Sequence, residues 1–306
     1  MKIIYFGSSA FSVPPLKSIL PVVSCIVTRK AKPKGRGYRI EGNEVKAVAA
    51  EMDIPVIELD SFRDEAAHQL ERYRPDFLVV ASFGLIIPRW ALKIPSIGPV
   101  NIHPSLLPKY RGPSPIQWVL WNGEGETGIT FIRMNEKMDQ GDLLYQEPMT
   151  IHAEDNMVTL SERLASRSGE ILPRFIENLS EDKIGKGTAQ DEREATYTPI
   201  ITKEMGKIDW SIGALEVSRQ VKALVFWPTA YTYLDEVVLK VFSSTVCDQE
   251  KSGEAGLISG VTKEGIVVDT PNGTLLITEV QLESRKRIKA YQFAQGYRSL
   301  VGKRLG

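Results

Sequence analysis

After Met1, the run Lys2–Phe6 (KIIYF) is β-branched and aromatic and ends in the polar Gly7-Ser8-Ser9, the pattern of a buried strand feeding a turn. Val13–Leu20 follows as a short helix, with Pro14 or Pro15 tolerated in its first turn. The alternation continues with a strand at Val22–Thr28 and a helix at Asn43–Met52, where Val45, Val48 and Ala49 fall at i, i+3 and i+4. Ile54–Ile57 reads as a strand, Arg63–Tyr73 as a helix and Phe77–Ala81 as a wholly apolar strand. Strands at Gly98–His103 and Thr127–Met134 flank a helix at Ile116–Asn122. Met157–Leu179 carries a long helical pattern, expected to bend or split at Gly169 and Pro173. Strands alternating with helices predict parallel βαβ units and a Rossmann-like α/β fold with a mostly parallel sheet.

The texture then changes. Glu181–Thr202 is polar, with Gly185, Gly187, the charged run Asp191–Glu194 and Pro199, and reads as a linker wrapping back over the first domain. Ala214–Leu224 is a further helix. Short strands follow at Ala230–Leu234, Leu239–Ser244, Gly256–Thr262, Gly265–Asp269 and Leu275–Leu282, with hairpin turns at Lys263-Glu264-Gly265 and Pro271-Asn272-Gly273. That spacing predicts a small OB-like β-barrel. The resulting division is a first domain at 1–184, a linker at 185–206 and a second domain at 207–306.

A length of 306 residues fits two domains, and 42% apolar with 25% charged residues is ordinary for a globular protein. The 38 basic and 38 acidic residues cancel, so net charge alone points to neither nucleic acid nor membrane. No window reaches the ~20 apolar residues of a membrane helix, and the apolar part of MKIIYF is too short for a secretory signal. Cys25 and Cys247 each lie in an apolar run, which predicts two buried, reduced thiols of a cytoplasmic protein and neither a disulfide framework nor a zinc site.

Candidate chemistry concentrates in Val100–Gln117 (VNIHPSLLPKYRGPSPIQ) and at Asp139 in MDQGDLLY. Asn101 and His103 are two residues apart on an extended segment, so their side chains point to the same face. An amide, an imidazole and a carboxylate are the groups that hold an oxyanion, shuttle a proton and orient the shuttle. Alone, such an Asn is as readily a loop tether. His68, in a polar helix, and His152, opening a charged loop, have no comparable neighbours.

The full run Asn101-x-His103-x-Ser105-Leu106-Leu107-Pro108-x-Tyr110-Arg111-Gly112, with Asp139-x-Gly141-Asp142, resembles the signature of the 10-formyltetrahydrofolate-dependent formyltransferase family. Phe83-Gly84-Leu85-Ile86-Ile87-Pro88 resembles that family's folate loop. Tyr5–Phe11 resembles its amino-terminal strand and turn, and Gly125–Met134 the strand before its catalytic Asp. Ile208-Asp209-Trp210-Ser211 and Trp227-Pro228-x-Ala230-Tyr231 resemble the second domain of members that act on methionyl-tRNA. The resemblance implies formyl transfer from 10-formyltetrahydrofolate to the α-amino group of initiator methionyl-tRNA, without metal. It assigns Asn101 and His103 to the oxyanion and Asp139 to orienting His103 and relaying the amine proton. Folate contacts would come from Phe83, Gly84, Leu85, Ile86, Ile87 and Pro88, and from Ser105, Leu106, Leu107 and Pro108. Both segments combine small or apolar side chains with accessible backbone groups, suited to a flat pterin. Tyr110-Arg111-Gly112 would fix its loop, and Asp142 would be structural.

Arg29–Arg39 (RKAKPKGRGYR) holds six basic residues and no acid, and Ser284–Gly306 holds seven basic residues and no acid. Each run alone suits a solvated surface; two in a near-neutral chain suggest one polyanion-binding face. On the resemblance, Lys32, Lys34 and Arg36 would enter the tRNA acceptor stem, and Arg285, Lys286 and Arg287 would contact its backbone. A monomer is expected. Two departures from the family pattern, Ser8-Ser9 for Thr-Pro and Pro113-Ser114 for Ala-Ala, keep a sugar-nucleotide N-formyltransferase open as an alternative. A non-catalytic RNA-binding relative is the other, opposed by the intact Asn101, His103 and Asp139.

Overall fold

The structure is a computed structural model, and it describes residues 1–30, 44–180, 185–248, 253–297 and 299–306. In chain order the first elements are β1 (Ile3–Gly7), α1 (Val13–Ser18), β2 (Val23–Arg29), α2 (Glu44–Glu51), β3 (Val56–Leu59), a 3-10 helix at Glu65–Tyr73 and β4 (Phe77–Ala81). Then come α3 (Arg89–Leu92), β5 (Gly98–His103), α4 (Pro115–Trp121), β6 (Glu126–Arg133), β7 (Leu143–Thr150) and α5 (Met157–Ser180). The seven strands form one sheet in the order β3-β2-β1-β4-β5-β6-β7. Pairings from β3 to β5 are parallel, whereas β5–β6 and β6–β7 are antiparallel. The sheet is therefore mostly parallel, as the alternation predicts. β1 and β4 are buried along their whole length because helices or loops cover both faces of a parallel sheet.

Three of the differences from expectation have a direct physical cause. The segment after Ser61 is a 3-10 helix at Glu65–Tyr73, because its buried Ala67, Leu70 and half-buried Tyr73 recur every three residues. α5 is continuous through Gly169 and Pro173. An internal proline costs ~3 kcal/mol, but buried Leu164, Leu172, Phe175, Ile176 and Leu179 are each worth about 1.5–3 kcal/mol. The aggregate burial wins. β7 carries no strand signal of its own: it is an edge strand with Pro148 opposite Gly128, a place where a missing N–H is tolerated.

Two compact units separate, one of residues 1–115, 126–150 and 161–198, the other of 116–125, 151–160 and 199–306. The second contains α6 (Ala214–Leu224), β8 (Ala230–Leu234), β9 (Val237–Asp248), β10 (Ile258–Val261), β11 (Ile266–Asp269), β12 (Thr274–Leu282), β13 (Ile288–Lys289) and α7 (Ala290–Gln295). Its sheet is antiparallel in the order β10-β11-β12-β9-β8, with β13 on β12. The last residues join its two edges: Ile258 N donates to Lys303 O (2.8 Å), Leu305 N to Gly256 O (2.8 Å) and Gly306 N to Tyr233 O (3.0 Å). The barrel expectation is met through this tail, which leaves few open edges. Trp210, 4% exposed, anchors the core with Val217 and Val221 of α6, and its indole N–H donates to Thr232 Oγ1 at 2.9 Å.

One thiol departs from the sequence reading. Cys25 is buried, and desolvation pushes its pKa to about 11, but Cys247 is exposed near the end of β9. The apolar run around Cys247 marks the alternation of a strand with one open face. In the first unit, the Phe175 ring meets Phe131 edge to face at 4.7 Å. Phe175→Ala is expected to lower that unit's stability by about 3–5 kcal/mol, read as a fall in the urea midpoint; a change under about 1 kcal/mol would show that the ring is not core.

Candidate active site

β5 ends at the carboxyl edge of the parallel strands, where open α/β sheets bind ligands. Along it Val100 and Ile102 are 1% exposed, while Asn101 and His103 point the other way. His103 is 4% exposed and pairs in register with Thr130 of β6. Its Nε2 lies 2.9 Å from Tyr110 O. A carbonyl only accepts, so Nε2 carries a proton and donates it. Nδ1 therefore faces the remaining partner, Asp139 Oδ2, at 3.6 Å. That separation is an ion-pair distance and exceeds a direct hydrogen bond.

Asp139 gathers the site. Asn101 Nδ2 donates to its Oδ1 (3.3 Å), and Gly112 N donates to its Oδ2 (2.8 Å). The structure thus brings Asn101, His103 and Asp139 to one carboxylate, and adds a main-chain donor from the Tyr110-Arg111-Gly112 run. Asp139 holds φ at +53°, a left-handed conformation that costs a non-glycine residue about 1–3 kcal/mol. Two glycines permit the approach. At Gly112 (φ +115°) a Cβ would lie 2.7 Å from Thr198 O, and at Gly141 a Cβ would lie 1.7 Å from Arg133 O.

Beneath the loops is a network that the residue pattern did not single out. Arg111 is fully buried, and its five N–H groups make five bonds: Nε and Nη2 to Gln190 Oε1, Nη1 and Nη2 bidentate to Glu192, and Nη1 to Tyr197 Oη. The guanidinium holds the Glu192 carboxyl below its ordinary range through those bonds. Gln190 Nε2 donates in turn to Asp139 O (2.8 Å) and Gly141 O (2.7 Å). Thr196 and Thr198 bond the backbone of Tyr110 and Arg111. The segment expected as a linker thus contributes residues 185–198 to the first unit. Its one local signal is Thr196-Tyr197-Thr198, a short β-favouring run in a polar stretch.

The two segments assigned to folate differ. In Ser105–Pro108 all four carbonyls already accept a bond, from Thr130 Oγ1, Lys109 N, Gln146 Nε2 and Thr196 N respectively. This loop is braced from β6 and β7, and its main-chain acceptors are less accessible than its composition suggests. In Phe83–Pro88, Arg29 Nη1 donates to Gly84 O and Pro88 O caps α3, but among the described residues no backbone hydrogen bond involves Leu85, Ile86 or Ile87. Ile86 is 74% exposed. Asp142 is half-buried, and its carbonyl accepts from Arg133 N at 2.9 Å. Lys32, Lys34 and Arg36 lie outside the described residues. Arg285, Lys286 and Arg287 are exposed, with Arg287 paired to Glu279 and set 4.3 Å over the Phe242 ring.

Gly141→Ala is expected to destabilise by about 1–3 kcal/mol through overpacking and to draw Asp139 away from Gly112 N. A crystal structure of the variant with that 2.8 Å bond intact would show that the loop absorbs the methyl group.

The formyl transferase family model matches residues 17–176, and the model of the formyl transferase C-terminal domain matches residues 200–298. A methionyl-tRNA formyltransferase from Geobacter sulfurreducens is 38% identical over 100% of this chain and 97% of its own length. Another from Alkaliphilus oremlandii is 37% identical over 100% of both chains. Among solved structures, HypX from Aquifex aeolicus in complex with tetrahydrofolic acid superposes with a TM-score of 0.68 at 18% identity, covering 98% of this chain and 48% of that one. The N-formyltransferase from Helicobacter canadensis, in complex with folinic acid and dTDP-3-aminofucose, gives a TM-score of 0.68 at 18% identity, over 90% of this chain and 98% of its own.

Proposed function

The chain belongs to the formyl transferase family, and on that premise we infer that it transfers the formyl group of 10-formyltetrahydrofolate to the α-amino group of initiator methionyl-tRNA. The observation that carries the chemistry is the convergence of Asn101, His103 and Asp139 on one carboxylate at the end of β5. The substrate follows from relatives named for methionyl-tRNA that align over the whole chain, second unit included.

Formyl transfer forms a bond from the amine nitrogen to the formyl carbon and breaks that carbon's bond to the folate nitrogen. Charge develops on the formyl oxygen, and the proton released by the amine goes to the leaving folate nitrogen. The anchored Nε2–H of His103 leaves Nδ1 as its working nitrogen, beside the Asp139 carboxylate. Asn101 has a second amide N–H beyond the one given to Asp139, and that donor, with His103 when it carries a proton on Nδ1 as well, stabilises the oxygen charge. Asp139, oriented by Gly112 N, holds His103 in register and relays the proton the amine gives up. When bound, 10-formyltetrahydrofolate supplies the activated formyl carbonyl. The unbonded main-chain groups of Leu85, Ile86 and Ile87 fit a planar, polar-edged ligand, with Phe83, Gly84 and Pro88 shaping that loop and Ser105, Leu106, Leu107 and Pro108 forming its braced neighbour.

We assign residues 1–184 to the catalytic domain, 185–206 to the connection and 207–306 to the tRNA-binding domain; the family matches at 17–176 and 200–298 support two domains, and the first part of the connection, 185–198, belongs to the first compact unit. Lys32, Lys34 and Arg36 remain the proposed acceptor-stem contacts. Arg285 and Lys286 are better placed than Arg287 for phosphate, because Arg287 is already engaged by Glu279 and Phe242. The protein acts in this reading as a cytoplasmic monomer. No helix among the described residues is long and apolar enough to cross a membrane. The amino-sugar alternative, kept open by Ser8-Ser9 and Pro113-Ser114, gains from the comparisons only structural likeness at 18–19% identity, which is a statement about fold.

Purified protein is expected to formylate charged initiator tRNA and not a 4-amino sugar nucleotide; the reverse preference would reassign the substrate. Asn101→Ala should lower kcat by ~10²–10³ with folate affinity retained, and a wild-type rate would remove Asn101 from the reacting centre. Arg36→Ala should raise the KM for tRNA and spare that for folate. An unchanged kcat/KM for tRNA in that variant would refute the loop assignment.

A further inference from the structure

Gln190 bonds both loops of the site through its two amide atoms. Its Oε1 accepts from Arg111 Nε (3.0 Å) and Nη2 (2.8 Å), and its Nε2 donates to Asp139 O (2.8 Å) and Gly141 O (2.7 Å). The amide orientation is dictated by chemistry, since a guanidinium offers only donors and the two carbonyls only accept. We propose that Gln190 is a positioning residue that sets the Asp139 carboxylate against His103, with Arg111 locking the amide in place. This rests on the reading that Asp139 works at the reacting centre.

The argument runs through the backbone of Asp139. At φ +53° its peptide relaxes unless its surroundings over-determine it. Gln190 supplies that constraint by gripping the carbonyl of Asp139 itself and that of Gly141 two residues on. Arg111 closes the circuit from the other loop: its side chain holds Gln190, and the next residue's N–H, from Gly112, holds Asp139 Oδ2. Arg111 is in turn kept in place by the carboxylate of Glu192 and the phenol of Tyr197, both on Gln190's own segment. Tyr197 Oη also accepts from Gln140 Nε2 at 3.0 Å, so the same segment touches the residue next to Asp139. Among the described residues Gln190 makes no hydrogen bond to Asn101 or His103, so its influence on the reaction goes through Asp139. No charged residue substitutes for it: glutamate lacks the donors, and lysine or arginine would meet Arg111 as a like charge. Methionine keeps the length and loses the bonds.

Three variants of the full chain test this, with kcat, the KM for each substrate and the thermal unfolding midpoint measured for all. Gln190→Met is expected to lower kcat about 10–100-fold, the effect typical of losing a partner that orients a working group. Both KM values should stay within about threefold of wild type. Gln190→Glu keeps the acceptor for Arg111 and therefore the fold, but turns a carboxylate oxygen toward two carbonyls; its kcat should fall at least as far. If Gln190→Met does not fold, Gln190→Glu decides. Wild-type kcat in either folded variant, or a loss confined to KM, overturns the proposal. Asp139→Asn separates the two levels. If it retains wild-type kcat, the reading of the site fails; if it is inactive while Gln190→Glu turns over normally, only the positioning role fails.

Discussion

The carboxylate of Asp139 is the constraint around which the first unit's site is assembled. It accepts from the Asn101 amide and from Gly112 N, and its second oxygen faces His103 Nδ1. Three chain segments must agree in position for those bonds to coexist: the end of β5, the turn at 110–112 and the loop after β6. Each is tied to the sheet. β5 is paired on both sides, and Met134 N donates to Pro99 O (3.0 Å) as the last bond before the Asp139 loop begins. In the proposed reaction, a hydrogen-bonded carboxylate of fixed direction would present a single imidazole nitrogen to the reacting carbonyl without reorganisation.

A buried guanidinium holds this arrangement. Arg111 has no exposed surface, and stripping it of water carries a cost that only full pairing offsets. All five of its donors are used, and the partners come from one stretch, 190–197. Pairing of this quality is weak support for stability as such, because an apolar replacement of equal volume can do as well. Its consequence is geometric. Glu192 is two-thirds exposed, so solvent screens one side of the ion pair while the planar fork still fixes direction.

Much of the architecture was legible along the chain because hydrophobic period reports burial directly. β4, β5, α6 and β8 lie where the apolar runs put them. Where the pattern misled, local preference met a stronger tertiary term: the burial of one apolar face carried α5 through Pro173, and a three-residue repeat turned a helix into a 3-10 segment. β7 escaped notice because an edge strand buries only one face, and Pro148 weakens its signal further. Cys247 is exposed for a related reason, since alternation along β9 cannot reveal which side is covered. In the second unit the turn chemistry located the hairpins, but the closing of β10 to β8 by residues 303–306 depends on bonds between segments with no shared pattern.

The chemistry divides in the same way. Asn101-x-His103 shares a face on any extended strand, and the motif with Asp139 carries the family resemblance, so the sequence by itself determined the candidate groups and the fold that presents them. It could not tell which nitrogen of His103 is anchored, that Gly112 N would orient the carboxylate, or that a polar stretch fifty residues beyond Asp139 would brace both loops. Those are long-range hydrogen bonds between side chains and main chain, and such bonds leave no periodicity in the chain. They exist only once folding has brought residues 111 and 139 each within hydrogen-bonding distance of residue 190, and that was decided by the tertiary structure alone.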